Sequence, residues 1–492
     1  MRKFFAALGV LLTVLVAVVG AKTWLTPSRQ LAVAPVQPVA VDGAAASTRL
    51  AAAVRFKTIS SAADPSANAA EFDGLHAHLR ASFPKAHAAM QREVVGTHGL
   101  VYTWPGTDPK TPAIGFLAHQ DVVPVAPGTE GDWQEPPFAG NVTGGFIWGR
   151  GAWDDKGNLM SMLEAAELLA ASGFKPRQTV YFLFGHDEEV GGQRGAVQMA
   201  KLLQSRGVRL QFLVDEGLLI TDGLLPGLTQ PAALIGVAEK GYLSLQVATS
   251  AAPGHSSMPP AEAGQTAIGM LSAALAKIED RQMPLAIRGV AGEMFATLAP
   301  EMRGMNRVFL SNLWLFKPLV ERQLAKGAST NATLRTTTAL TMVNAGNADN
   351  VLPGRANAVV NFRLLPGDSS DHVVAHVNAA VANPAVKVEK LAGFSEASKV
   401  SPTTAPGFQL IAKTLRQLHP DVVVAPGLMI AATDSRHFDA VADTVYKFSP
   451  VRAKPEDLKR FHGTNERIST ANYVELIQFY HQLLGNAAAP AP

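Results

Sequence analysis

Residues 181–192 read YFLFGHDEEVGG. An apolar run, Tyr181–Phe184, passes straight into His186, Asp187, Glu188 and Glu189 and stops at two glycines. The run has the character of a buried strand, yet three adjacent carboxyls sit at its end. Like charges that close repel, so something positive has to hold them. Working outward from this stretch, the same grammar repeats. AIGFLAHQDVV (113–123) precedes a helical pattern around 157–172; TVYFLFG (179–185) precedes another around 194–206; LQFLVDEG (210–217) follows. Strands rich in Val, Ile, Leu and Phe that alternate with amphipathic helices predict a largely parallel sheet covered by helices on both faces. Such sheets bind ligands beyond the carboxyl ends of their strands. His119, Asp121, Glu188, Glu189 and Asp215 all fall at those ends.

Around residue 238 the period changes. GYLSLQVATSA (241–251) alternates apolar and polar residues, as do LRTTTALTMVNA (334–345) and NAVVNFRLLP (357–366). Alternation marks half-exposed strands. With helical patterns near 262–280 and 368–382 and the strand VKVEKL (386–391), the order β-α-β-β-α-β predicts a ferredoxin-like α+β lid domain. The expected division is a catalytic domain in two parts, 47–237 and 394–485, with the lid at 238–393 inserted between them. Residues 284–332 form a helical excursion within the insert, expected to pack against its own domain, with an apolar wall for a lipid or bulky acyl group as the alternative. No internal repeat and no GxGxxG loop is present.

Composition narrows the function. The 492 residues carry 43 basic and 40 acidic side chains and no cysteine. So balanced a charge, without a basic stripe, argues against a nucleic-acid partner. Thiolate ligands, a cysteine nucleophile and disulfides are excluded. At the N-terminus, Arg2 and Lys3 precede an apolar run from Phe4 to Ala21. That is export chemistry, either a signal cleaved near Val19-Gly20-Ala21 or an uncleaved membrane anchor. Residues 1–25 are thus a signal peptide or signal anchor, 26–46 a flexible tether, and 486–492 a disordered tail. The functional part is expected outside the cytoplasm.

The polar groups at the strand ends are individually unremarkable. In His119-Gln120-Asp121 the two-residue spacing puts both side chains on one face of a strand. Asp154 and Asp155 in GRGAWDDKG (149–157) suit a helix N-terminus, where aspartate commonly caps. Asp215 in LVDEG fits a turn, and His462 in FHGTNE a surface loop. Together, two histidines, several carboxylates and no cysteine suit zinc in a hydrolytic site. Two metals sharing a carboxylate would explain the acid excess, with Glu189 as a ligand and Glu188 as a base.

As a set, LAHQDVVPV, GRGAWDDKG, HDEEVGG, LVDEG, GHSSMP and FHGTNE resemble the co-catalytic zinc peptidases of clan MH. That family includes aminoacylase, glutamate carboxypeptidase, carnosinase and succinyl-diaminopimelate desuccinylase. The motifs span about 117–466 in the family's order. The resemblance implies a phosphorylase/hydrolase-like mixed-sheet catalytic domain and two Zn2+ per chain, at positions that also accept Co2+ or Mn2+. His119, Asp154 and Asp215 would bind one ion, and Asp154, Glu189 and His462 the other, with Asp154 bridging. Glu188 would be the general base and Asp121 would orient His119. His255 in PGHSSMP matches the histidine that polarises the scissile carbonyl, supplied in many relatives by the second subunit of a homodimer formed through the lid. Asn350 and Arg363 match positions that recognise a substrate carboxylate. The excursion and TDSRHF (433–438) look most like the branch of Gly-X carboxypeptidase and N-fatty-acyl-amino-acid synthase/hydrolase. The implied activity is hydrolysis of an amide beside a free carboxylate, in a peptide or an N-acyl amino acid. A non-catalytic binding module on the same scaffold is the alternative, disfavoured by the intact ligand set and Glu188.

Overall fold

The computed structural model describes residues 1–489. An eight-stranded mixed sheet forms its centre, in the order Gln91–Val95, Gly99–Trp104, Val180–Gly185, Ala113–His119, Leu210–Thr221, Val445–Ala453, Ala232–Glu239, Val423–Met429. The middle strands Val180–Gly185, Ala113–His119, Leu210–Thr221 and Val445–Ala453 are parallel, and the Gln91–Val95/Gly99–Trp104 hairpin joins antiparallel. The apolar runs are buried on both faces, as their lack of alternation predicts. Helices Lys156–Ala171 and Thr470–Ala488 cover one face, and Ala196–Ser205 packs through Met199 and Leu203 on the other.

Register positions the chemistry. His119 pairs with Gly185 across parallel strands, so the imidazole emerges beside the turn that carries Glu188 and Glu189. Asp215 departs from expectation. Its strand does not end near Gly217 but runs to Thr221. The pairing jumps from Asp215↔Lys447 to Leu218↔Phe448, leaving Glu216 and Gly217 in a bulge. The neighbouring strand Ala232–Glu239 pairs with this extension at Ile220↔Ala233 and holds it in the sheet. A bulge re-aims side chains as effectively as a strand end.

A second, four-stranded antiparallel sheet has the order Thr337–Ala345, Arg355–Leu364, Gly241–Ser250, Val386–Lys390. Helices Ala267–Asp280 and Ser370–Val381 cover one face, packing on Leu243, Leu245, Val247, Val360 and Phe362. Along Arg355–Leu364 buried and half-exposed residues alternate, as the sequence period required. The excursion was expected to pack on this sheet. Instead Leu298, Met302 and Val320 join Ala232, Val423 and Ala425 at the outer edge of the large sheet. The physical reason is that Val423–Met429 is a fully buried edge strand, and such an edge needs a cover.

Both termini also correct the sequence reading. Residues 26–42 are no loose tether: the Gln30 amide exchanges two hydrogen bonds with the Val424 backbone at 3.0 and 2.7 Å. Val36 N–H donates to Gln417 O at 3.0 Å, Gln478 donates to Val39 O at 3.0 Å, and the helix Gly43–Val54 follows. Unpaired backbone along Val423–Met429 and the helices beside it takes this strap as a partner. Of the expected disordered tail, residues 486–488 belong to the last helix, and 490–492 lie outside the described residues.

Candidate metal centre

The centre gathers residues from widely separated elements. His119 ends its strand and is 2% exposed. Asp154 and Asp155, joined by a cis peptide, stand before helix Lys156–Ala171. Glu188 and Glu189 lie on a single 3-10 turn after Gly185. His462 sits on a loop with its ring stacked 4.4 Å from that of Phe461. His119 Nε2 is 3.0 Å from Asp154 Oδ1, and His462 Nε2 is 2.8 Å from Asp154 Oδ2. His462 Nε2 is also 3.4 Å from Glu189 Oε1. One donor atom each from His119, Asp154 and Glu189 lie within 4.8 Å of one another. Asp154 thus offers its two oxygens to two different imidazoles.

Asp121 ties this group together from behind. Its carboxylate accepts from the backbone N–H of Glu188 at 3.2 Å, that of Glu189 at 3.1 Å and the Ser60 hydroxyl at 2.6 Å. His119 Nδ1 approaches the Asp121 main-chain carbonyl at 2.9 Å, and the carboxylate at 3.5 Å. One residue therefore fixes both the imidazole and the turn bearing the two glutamates. The acids of the opening stretch divide accordingly. Asp187 faces away and accepts from Arg194 and Gly195 N–H, both at 2.8 Å; His186 contacts the Thr97 hydroxyl at 2.7 Å. Glu189 reaches the cluster, 3.4 Å from His462 Nε2, and Glu188 lies within the charge field of His119.

Two contributors, Glu466 and Asp434, escaped the sequence reading, and Asp155, read there as a helix-capping acid, takes part as well. Glu466 accepts from Gly151, Trp153 and Asp154 N–H at 2.9, 3.0 and 3.1 Å, and its other oxygen pairs with Arg150 at 2.5 Å. It shapes the Asp154 turn from the far end of the chain. Asp155 accepts from His119 N–H at 3.2 Å. Asp434 is buried between Gly185 and Gly192, where a Cβ on either glycine would strike its carboxylate. Asp215 accepts from Ser435 and Glu216 N–H, both at 2.9 Å.

The electrostatics of the centre are those of crowded, buried acids. Burial pushes the carboxyls of Asp155, Glu188 and Asp434 well above their ordinary range, and those of Glu189 and Asp215 upward too. The hydrogen bond to Asp154 and the nearby Glu189 carboxylate raise His462 to about 10, and the carboxylates of Asp121 and Asp154 outweigh burial at His119. Glu189 Oε1 and both Asp434 oxygens are buried with no hydrogen-bond partner among the described residues. A concave set of N and O donors with surplus negative charge suits divalent cations of the zinc type.

The remaining predicted residues lie apart from the cluster, in two places, a two-stranded ribbon and the four-stranded sheet. His255, on the exposed two-residue strand Gly254–His255, pairs with Val351, and Asn350 O accepts from Ser256 N–H at 3.0 Å. The His255 ring contacts Ser257 Oγ at 2.8 Å. Arg363 sits apart, its guanidinium 4.8 Å over the Tyr242 ring and half-buried. No hydrogen bond or ion pair joins these residues to the cluster among the described residues.

Comparison with known proteins shows the family and the fold. The model of Peptidase family M20/M25/M40 matches residues 115–486. Probable carboxypeptidase S-like 2 of Dictyostelium discoideum is 40% identical over 442 residues, covering 89% of this chain and 84% of that protein. An N-fatty-acyl-amino acid synthase/hydrolase of Danio rerio is 43% identical over 421 residues, covering 85% and 80%. Among solved structures, an M20 family metallo-carboxypeptidase from Sulfolobus solfataricus superposes with a TM-score of 0.64 at 17% identity, covering 90% of this chain and 99% of that one. Human carnosine dipeptidase 1 gives 0.61 at 16% identity, covering 92% and 100%. The chain belongs to Peptidase family M20/M25/M40.

Proposed function

We propose that this amidohydrolase uses two divalent metals, zinc foremost and cobalt or manganese as substitutes, to cleave an amide beside a free carboxylate. One observation carries the reading: Asp154 presents separate oxygens to His119 and His462, with Glu189 within reach of both. His119, Asp154 and Asp215 would hold one ion, and Asp154, Glu189 and His462 the other. Bound ions would supply Lewis acidity and lower the pKa of the attacking water.

The chain's own groups do the rest. Glu188 takes a proton from the attacking water as its oxygen bonds to the amide carbon. It then delivers that proton to the leaving nitrogen as the C–N bond breaks. Asp121 keeps Glu188 in place through the backbone bond at 3.2 Å and holds the His119 ring. His255 donates to the developing oxyanion. Arg363, aided by Asn350, holds the substrate carboxylate with its fork of donors. His255 stands on an exposed hairpin, so it acts after closure of the small sheet or from a second copy of the chain; the open edge Thr337–Ala345 offers a pairing strand for such a homodimer. Substrates are N-acyl amino acids or short peptides, met outside the cytoplasm, where the N-terminal helix directs the body as a cleaved signal or a retained anchor.

Elemental analysis of protein purified without chelator, run beside a hydrolysis panel of dipeptides and long-chain N-acyl amino acids, tests this. Zinc near two equivalents and turnover of carboxylate-bearing substrates alone are expected. A folded protein with one equivalent or none, inert on every substrate, would sink the reading in favour of a binding module.

A further inference from the structure

The N-terminal helix does not stand clear of the body. Arg307 donates to the Thr23 carbonyl at 3.0 Å, and the Asn312 amide donates to Thr23 Oγ1 at 2.9 Å and to Val19 O at 3.3 Å. Lys22 lies 5.3 Å over the Trp314 ring, and Arg307 lies 5.1 Å over that of Trp24. The strap that follows leaves no slack, because Gln30 is bonded to Val424. The outer end of the helix is thereby fixed against the excursion helices Gly304–Ser311 and Leu313–Leu324.

Helix Arg2–Leu25 contains an 18-residue window with mean hydropathy 2.6 and no buried residue. A bilayer covers such a helix along its length. A bilayer that receives it up to its last turn necessarily meets the excursion face beside that turn. This face has the chemistry of a headgroup boundary. Trp314, Leu315 and Leu319 are 53%, 37% and 54% exposed, with Trp24 beside them. Between residues 301 and 326 five basic side chains outnumber two acidic ones. Tryptophans with flanking basic residues are enriched at this depth, and clustered positive charge attracts anionic headgroups.

We propose that the excursion helices Gly304–Ser311 and Leu313–Leu324 are a second membrane contact, seated in the phospholipid headgroup region of the leaflet from which the N-terminal helix emerges. The inference rests on that helix being retained as an anchor. Val320 packs the excursion onto the edge of the large sheet, so this contact sets the attitude of the whole catalytic body to the membrane.

The chain lacks cysteine, so single variants take one spin label each. Full-length L12C, L319C and K387C proteins, in vesicles of phosphatidylcholine and phosphatidylglycerol, are compared by power saturation with oxygen and a water-soluble nickel chelate. The label at 12 is expected deep, that at 319 at headgroup depth with oxygen favoured over nickel, and that at 387 aqueous. A label at 319 as nickel-accessible as that at 387, with 12 still deep, overturns the proposal and leaves the anchor standing. A label at 319 shielded from both reagents means a second copy covers the face, which also overturns it. A label at 12 that is aqueous, or lost with a cleaved N-terminus, removes the anchor and the proposal together.

Discussion

The two sheets place their polar residues under opposite rules. In the large sheet, strands buried on both faces deliver His119, the Glu188–Glu189 turn and the Asp215 bulge to one spot, where backbone N–H groups and hydroxyls lock them. In the insert, the small sheet, covered on one face, carries Arg363, and the separate two-stranded ribbon carries His255, each with few partners. The first region is finished by folding; on the proposed function, the second would be finished by substrate. Preorganised groups stabilise transition states without reorganisation at the moment of reaction, whereas groups that must arrive couple binding to catalysis. Family membership makes the contrast chemical as well as structural: the fixed region should carry the metals, and the exposed one the reading of the substrate.

The hardest blow to that division is struck at the bridge. Asp154→Asn should abolish both metal binding and turnover, since one carboxylate serves both imidazoles. Retention of two metals by elemental analysis would show that the large sheet's centre is not built on Asp154. Glu188→Gln should keep the metals and lose at least ~10²-fold in kcat, the usual scale for a general base. Glu189→Gln should weaken metal binding instead, and matching behaviour of the two neighbours would erase the distinction between them.

The small sheet predicts a different signature. Arg363→Ala should lower kcat/KM for an acyl-amino acid by roughly 2–3 kcal/mol, the scale of a charged hydrogen bond, and should hardly change the rate on its C-terminal amide. Equal losses on acid and amide would make Arg363 a structural residue resting on Tyr242.

The smallest effect concerns the joint between the sheets. Lys240 donates to the Ala332 and Arg335 carbonyls, both at 2.9 Å, and burial pulls its pKa to about 7 from 10.5. Between those values the unfolded chain binds a proton that the folded chain has released. Stability therefore rises with pH from about 7 to 10.5, and the full penalty persists below 7. Lys240→Met should flatten that rise in a melting series. An unchanged slope would assign the pH dependence to other groups.

What the sequence discloses follows the same division. Uninterrupted apolar runs and strict alternation announce the two sheets, and crowded acids at Asp154, Glu188 and Glu189 announce the centre. Partnerships made by single atoms across long sequence distances carry no period and no composition. Glu466 reads as the end of a loop, although it shapes the Asp154 turn 312 residues away. Asp434 lies within TDSRHF, and nothing in that stretch tells that two glycines are cut to its carboxylate. Residues 26–42 have linker composition, yet Gln30 exchanges paired bonds with Val424. The excursion's apolar face is visible, but which edge it covers depends on the topology of the large sheet.

The strand order also governs how the molecule is made. Val445–Ala453 lies between Leu210–Thr221 and Ala232–Glu239, so a late segment must slot into the middle of a sheet whose other strands were synthesised first. Contacts of such sequence separation are slow to form, because loop closure precedes any gain from pairing. His462 and Glu466 arrive later still. A chain threaded outward from its N-terminus therefore has no finished centre to load until nearly its whole length has emerged. Maturation, like catalysis, waits for the last hundred residues.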